Sequence, residues 1–160
     1  MPIDISAKGL QETKQNMLNA AAELHGAPMI SGMRRATLIV ERPAKKNAPV
    51  FQGRLRASIN SEVRVEGVGT PNVIGVVGTP VKYAAAVELG SKPHWVPPGV
   101  LDRWAKAHGI NPYLVARAIA KHGTKPRYFL KNAFESSKAQ VVIILGESVS
   151  GIVKKANNNG

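Results

Sequence analysis

The side chains best suited to chemistry in this sequence are four histidines, and their spacing keeps them apart. They are His25, His94, His108 and His122, so no pair has the separation of three or four residues that places two metal ligands on one helix face. His108 and His122 each precede a glycine typical of a helix end, where a partly positive imidazole interacts favourably with the helix dipole. With no cysteine to complete a thiolate site, these histidines indicate structural roles and no metal site.

The acidic residues and glycine motifs do not form a catalytic set. Asp102 is the only acidic residue between positions 91 and 131, so this stretch lacks the carboxylate pair of general acid–base catalysis. Gly67-Val68-Gly69 follows a predicted strand but lacks the third glycine and the helix of a dinucleotide-binding turn. The stretch 146–151, GESVSG, does not match the GxSxG motif of a nucleophile elbow. The sequence therefore predicts neither an enzyme nor a cofactor site.

Basic residues are the main chemical feature of the chain. Its 160 residues include 22 lysines and arginines against 10 acidic residues, a net charge of +12. Residues 91–131 contain eight of the basic residues and one of the acidic ones. Such a concentration is typical of a surface that binds nucleic acid, an acidic protein or an anionic membrane, and a merely solubilising surface has the same composition.

The basic segment predicts an interaction patch that does not read bases. No predicted helix within it presents the asparagine and arginine set that recognises base edges, so contact with DNA would be independent of sequence. Trp95 and Trp104 lie among the basic residues, and we interpret them as core or interface anchors in preference to base-stacking platforms. The predicted patch consists of Lys92, His94, Trp95, Arg103, Lys106, Arg117, Lys121, Lys125 and Arg127.

A short helix followed by a rigid loop, Tyr83 to Pro98, is the segment that positions this patch. Gly90 is a natural helix end, and the three prolines that follow it restrict the backbone to extended conformations. Glu88 lies in the last helical turn, where the helix dipole disfavours a carboxylate. We therefore predict a structural ion pair of Glu88 with Arg54 or Arg56, both of which follow a turn at Gly53.

The first half of the chain predicts two helices and then a hairpin. Ser6 is a potential N-cap of the first helix, Gly26 ends it, and Pro28 opens the second helix, which Pro43 kinks or ends. The period of the apolar residues then changes from helical to alternating, which predicts strands at 61–66 and 72–78.

The second half predicts two short helices and one long helix. Asn111 caps the second short helix and Gly123 ends it, and the long helix runs from about Tyr128 into the 150s. The predicted fold is α+β, with long N- and C-terminal helices packed on a small antiparallel sheet and short helices after the Pro-rich loop. We predict a single domain over residues 1–156, a frayed tail at 157–160, no signal peptide and no membrane span.

Three stretches of the sequence form an ordered set. The first is 44–59, with Ala-Pro followed by GRLRASI; the second is 83–91, YAAAVELGS; the third is 123–130, GTKPRYFL, followed by the long helix. Together they resemble the small tail-component family of tailed bacteriophages, the neck or tail-completion group related to minor tail protein Z of lambdoid phages. The resemblance covers about residues 8–150. Gln52 and Ser91 stand where the family usually has threonine, and Tyr128 where it has proline.

The resemblance implies a non-enzymatic structural protein of the virion, located at the head–tail junction and assembled in the host cytoplasm. It implies a homo-oligomer, most often a hexameric ring, that contacts head-completion proteins and tail-terminator or tail-tube proteins and uses no cofactor. The basic patch would then face either the DNA channel of the ring or an acidic neighbouring ring. We predict no membrane partner. The charge alone also fits a different class, a stand-alone basic nucleic-acid-binding protein.

Overall fold

The computed structural model describes residues 7–67 and 71–158 and has an α+β arrangement that is 66% helical, as the sequence predicts. Its two strands form one antiparallel sheet. None of the described helices is long and apolar enough to cross a membrane. The elements are α1 (Ala7–Glu23), α2 (Ala27–Asn47), α3 (Arg54–Ser58), β1 (Asn60–Glu66), β2 (Asn72–Gly78), α4 (Ala84–Leu89), α5 (Pro98–Ala107), α6 (Pro112–His122) and α7 (Phe129–Asn158).

The chain divides into two compact units, each built from stretches that are separate in sequence. The first unit consists of the described parts of Met1–Val40, Ser61–Val77 and Ser137–Gly160, and the second of Glu41–Asn60 and Gly78–Ser136. The single domain over 1–156 stays a prediction. Helix α7 extends to Asn158, and the last two residues of the predicted tail lie outside the described residues, as does the potential cap Ser6.

In the first unit, α2 packs against both the sheet and α7 through two glycines. A Cβ atom at Gly75 of β2 would lie 2.5 Å from Cγ2 of Thr37, so the missing side chain brings the strand close to α2. A Cβ at Gly32 would lie 2.1 Å from the hydroxyl oxygen of Ser148 on α7. Helix α2 therefore lies close to both the sheet and α7, and the two glycines leave room for these approaches.

The hairpin is exposed over much of its length. Along β1, Ser61 and Val63 are half-buried, whereas Glu62 and Arg64 are exposed, as the sequence predicts, but the alternation stops at Val65, which is 48% exposed. Arg64 donates a 2.8 Å hydrogen bond to Glu62, and this bond together with the positive charge holds the pKa of that carboxyl below its usual value. The residues 68–70 of the predicted turn lie outside the described residues.

Helix α2 does not end at Pro43 but continues to Asn47, contrary to one of the two alternatives predicted for this proline. Proline lacks the N–H that would bond the carbonyl four residues earlier, which here belongs to Ile39. The hydroxyl of the buried residue Ser137 donates to this carbonyl at 3.2 Å. A side chain from α7 thus satisfies the acceptor that the proline leaves open, and the helix continues.

We expect Ser137→Ala to lower the free energy of unfolding by about 1–2 kcal/mol, because it leaves the Ile39 carbonyl without a donor. In a Pro43→Ala background the same substitution should cost less, since residue 43 then supplies the missing N–H. Chemical denaturation of the two single variants and the double variant measures this coupling. Strict additivity would show that the Ser137 hydroxyl does not replace the proline's missing donor.

The second unit has a core that is rich in alanine. The short helices approach closely because their buried positions carry small side chains, and α5 and α6 pack against each other. Gly53, with φ of 74°, directly precedes α3, a five-residue helix that the sequence predicts only as a connector turn. Buried core residues of this unit are Ala44, Ala48, Leu55, Ile59, Ala84, Ala105, Ala116, Phe129 and Ala133.

Candidate functional site

The loop that begins at the end of α4 is tied to the segment before α7 by a short antiparallel bridge. The backbone N–H of Ser91 donates to the Thr124 carbonyl at 3.1 Å, and the Thr124 N–H donates to the Ser91 carbonyl at 3.1 Å. Their hydroxyl oxygens lie 2.9 Å apart. The two stretches 83–91 and 123–130, which are separate in the sequence, are therefore joined by backbone hydrogen bonds.

Gly90 and Gly123 allow this bridge to form. Their φ angles are 75° and 69°, and residues other than glycine rarely adopt positive φ angles of this size. A Cβ at Gly123 would lie 1.9 Å from the carbonyl oxygen of Ser91, and one at Gly90 would lie 2.4 Å from that of Thr124. Both glycines are thus required by conformation and by the close approach of a second backbone.

Glu88 is compensated by the backbone of α7. Its carboxylate accepts 2.9 Å hydrogen bonds from the N–H groups of Leu130 and Lys131, in the first turn of that helix. The first N–H groups of a helix have no intrahelical acceptor, and their dipole favours a negative charge. Glu88 therefore caps α7 from the end of α4.

The predicted partners of Glu88 were arginine side chains. Within the part of the chain that the structure describes, the ion pairs are Lys45–Glu41, Arg64–Glu62 and Lys155–Glu23, and Glu88 is not among them. The need for compensation was recognised from the sequence, but within this chain its source is a helix terminus. An ion pair with Arg54 or Arg56 of a neighbouring copy stays a prediction.

The Pro-rich loop 91–97 rests on α6. The backbone N–H of His94 donates to the Ile119 carbonyl at 3.4 Å, and the ring of Trp95 meets that of Tyr113 edge-on with centroids 6.2 Å apart. Asn111 caps α6 as predicted, accepting a 2.9 Å hydrogen bond from the Tyr113 N–H. The loop is therefore held at its start by the bridge to Thr124 and in its middle by α6, and the side chains of Lys92 and His94 are exposed.

All nine residues of the predicted patch are exposed, but the structure brings only some of them together. Arg103 of α5 and Arg127 of the segment before α7 line one groove together with Arg54 at the start of α3. This groove has a volume of about 620 Å³. An adjoining groove of about 670 Å³ shares Arg127 and adds Lys125. The remaining patch residues, Lys92, His94, Trp95, Lys106, Arg117 and Lys121, line neither groove.

Aromatic and aliphatic side chains form the rest of the arginine-lined groove. The rings of Trp104 and His108 stack with centroids 4.2 Å apart, and Phe51 lies 6.3 Å from the His108 ring. The ring nitrogen Nδ1 of His108 lies 2.8 Å from the Trp104 carbonyl at the end of α5, so this histidine has the helix-terminal role predicted for it. Val100 also lines the groove, and this residue is 72% exposed.

The charged side chains that line the groove are all positive. No acidic residue lines it, and none of its three arginines forms a side-chain hydrogen bond or ion pair with another described residue. Across residues 7–67 and 71–158, no group of histidine and acidic side chains could hold a metal ion. The arrangement of the groove is therefore suited to binding anionic groups next to apolar ones.

Sequence reasoning identified Arg103 and Arg127 but missed Phe51, Val100 and the placement of Arg54. The stretch 49–53 lies in a connector without periodicity, so no local pattern predicts that it borders α5. The available signal was an apolar pair, Val50 and Phe51, between a proline and a glycine, and the structure shows both residues exposed. Such a pair in a turn is typical of a surface with a binding role.

Comparison with known proteins gives one family. The family model described as "Bacteriophage HK97-gp10, putative tail-component" matches residues 5–90, which is more than half of the chain. The match includes the 44–59 stretch and nearly all of 83–91, and it ends before the 123–130 stretch. No curated protein and no solved structure matches the chain.

Proposed function

Since the chain belongs to the bacteriophage HK97-gp10 family of tail components, we propose that it is a structural protein of the head–tail junction of the virion. In this role it forms a ring that joins the head connector to the tail. The observation that carries the proposal is the family match over residues 5–90. The six-fold symmetry is implied by the wider resemblance to neck and tail-completion proteins, and assembly takes place in the host cytoplasm.

A stripe of exposed apolar residues on α7 supports self-association. Val142, Val149 and Val153 recur at helical spacing on one face, and Gly146 lies among them without a side chain to hinder a partner. Val142 is 64% exposed and Val153 is 47% exposed. Exposed apolar surface of this regularity is typical of a contact between proteins. In a ring, this stripe would be buried against a neighbouring copy.

The same unit also has a groove of about 730 Å³ between α1 and the end of α7. It is lined by Met17, Leu24 and Val153 among others, and Met17 is 69% exposed. The groove shares Val153 with the α7 stripe, so the two features form one apolar surface. In a ring each subunit contacts two neighbours through two different faces, and this apolar surface would supply one of them.

We expect the double variant Val142→Lys, Val149→Lys to lose ring formation, because two charges would have to be desolvated in the subunit contact. Mass measurement of the purified chain, alone and mixed with its neighbouring head-completion and tail-terminator proteins, checks this. Complementation of a phage that lacks the gene gives a second readout, the yield of tailed particles.

Gln140→Lys is the matched control, because Gln140 is exposed on a different face of the same helix. This variant should assemble like the wild type. If imaging of the junction showed a single copy of the protein, or if the double variant assembled normally, the ring and its α7 contact would be wrong.

Besides contacts between its own subunits, the ring would use its basic surface to bind an anionic partner. Lys121 and Lys125 lie with other exposed cations on α6 and the segment after it, and they would face phage DNA or an acidic neighbouring ring. A stand-alone nucleic-acid-binding protein is the alternative function that the charge favours. Tight DNA binding by the isolated monomer, with normal phage assembly in its absence, would favour this alternative.

A further inference from the structure

We infer that the groove lined by Arg54, Arg103 and Arg127 is the docking site for an extended acidic segment of a different virion protein. The carboxylates of this segment would meet the three guanidinium groups, and its apolar side chains would cover the exposed wall. The inference rests on the proposed function only for the source of the segment, a neighbouring component of the virion.

The first argument is charge complementarity. Three arginines line one groove of about 620 Å³, no acidic residue is among the described residues that line it, and all three arginines are exposed. Among the described residues, none of the three has a side-chain hydrogen bond or ion pair that would neutralise it. Guanidinium groups bind carboxylates through paired hydrogen bonds, which makes arginine suited to recognising an acidic chain.

The second argument is the apolar lining between the arginines. Val50, Phe51, Tyr83 and Val100 line the same groove and are exposed. Successive side chains of an extended peptide point in opposite directions, so a segment that alternates acidic and apolar residues would meet both kinds of surface. The backbone of duplex DNA offers phosphates but would leave these apolar side chains uncovered, so the lining favours a peptide.

The third argument concerns the origin of the segment. Asp102 is next to Arg103 in the sequence, yet it does not line the groove. The chain has 22 basic residues against 10 acidic ones, so a second copy is a poor source of a run of carboxylates. An acidic segment of another protein is therefore the occupant that best fits the groove.

The inference is tested by fluorescence anisotropy with the full-length protein and a labelled synthetic peptide that alternates glutamate and leucine. We expect saturable binding that weakens by about tenfold for each of Arg54→Gln, Arg103→Gln and Arg127→Gln, as the loss of a charge-assisted hydrogen bond predicts. A peptide with glutamine in place of glutamate should bind at least about tenfold more weakly.

The matched control is the triple variant Lys106→Gln, Arg117→Gln, Lys121→Gln. It removes positive charge only from exposed positions outside the groove, so peptide affinity should change by no more than about twofold at moderate salt. Circular dichroism confirms that each variant is folded, which is expected because the substituted side chains are exposed.

Three outcomes would overturn the inference. Equal losses in the groove variants and the control triple would show a diffuse electrostatic surface instead of a site. Equal binding of the glutamine peptide would show that carboxylates are not recognised. Groove-dependent binding of a labelled oligodeoxynucleotide in place of the peptide would make nucleic acid the occupant. None of these measurements depends on ring formation, so a failure of the ring proposal is seen separately.

Discussion

Gly123→Ala is expected to lower the free energy of unfolding by about 2–5 kcal/mol, because it adds a steric clash and backbone strain at one position. The new Cβ would lie 1.9 Å from the Ser91 carbonyl oxygen, a backbone atom that cannot rotate away. The φ of 69° and ψ of −158° define a backbone conformation that is essentially restricted to glycine, so a residue with a side chain would also be strained there. The bridge between Ser91 and Thr124 would have to open to relieve the clash.

Two other glycines separate the contributions to this effect. Gly109 has φ of 65° with open space around its Cβ position, so Gly109→Ala should cost only the strain, about 1 kcal/mol. Gly151 lies within α7 with open space and an ordinary helical backbone, so Gly151→Ala should stabilise the protein by about 0.5–1 kcal/mol. Thermal and denaturant unfolding of the three variants measures the change in the free energy of unfolding at each position. Equal effects at positions 123 and 109 would refute the close-approach argument.

Elements whose boundaries depend on local chemistry were predicted well from the sequence. Asn111 and Gly123 bound α6 because an N-cap side chain and a positive-φ glycine at the helix end are properties of single residues. The change from helical to alternating period located both strands to within one residue. In these places the sequence signal and the structural cause lie within a few residues of each other.

Contacts between residues far apart in sequence could not be predicted in the same way. The donor that allows α2 to continue past Pro43 belongs to Ser137, and no local pattern indicates this pairing. The groove likewise forms because the 49–53 connector, α5 and the segment before α7 meet, and only Arg103 and Arg127 stood out in sequence as part of a basic segment. The composition predicted the chemistry of the patch, but the fold decides which of its cations share one site.

Glu88→Gln is expected to lower the free energy of unfolding by about 1–3 kcal/mol. The carboxylate accepts one N–H through each oxygen, from Leu130 and Lys131. Glutamine has a single acceptor oxygen, so its NH₂ group would face a helix N–H donor, and the favourable interaction with the helix dipole would be lost. Hydrogen exchange at the amides of residues 130 and 131 should increase more than elsewhere in the second unit, which a general loss of stability would not produce.

The matched control for the Glu88 cap is Glu135→Gln. Glu135 is an exposed acid on α7 without a side-chain hydrogen bond or ion pair among the described residues, so its loss should change stability by less than about 0.5 kcal/mol. Combining Glu88→Gln with Arg54→Gln tests the alternative partner predicted from the sequence. In the monomer the two effects should be additive, because the cap is a backbone interaction. A coupling that appears only in the assembled ring would mean that Glu88 also contacts an arginine of the neighbouring copy, and a coupling in the monomer would mean that Arg54 contributes to the cap.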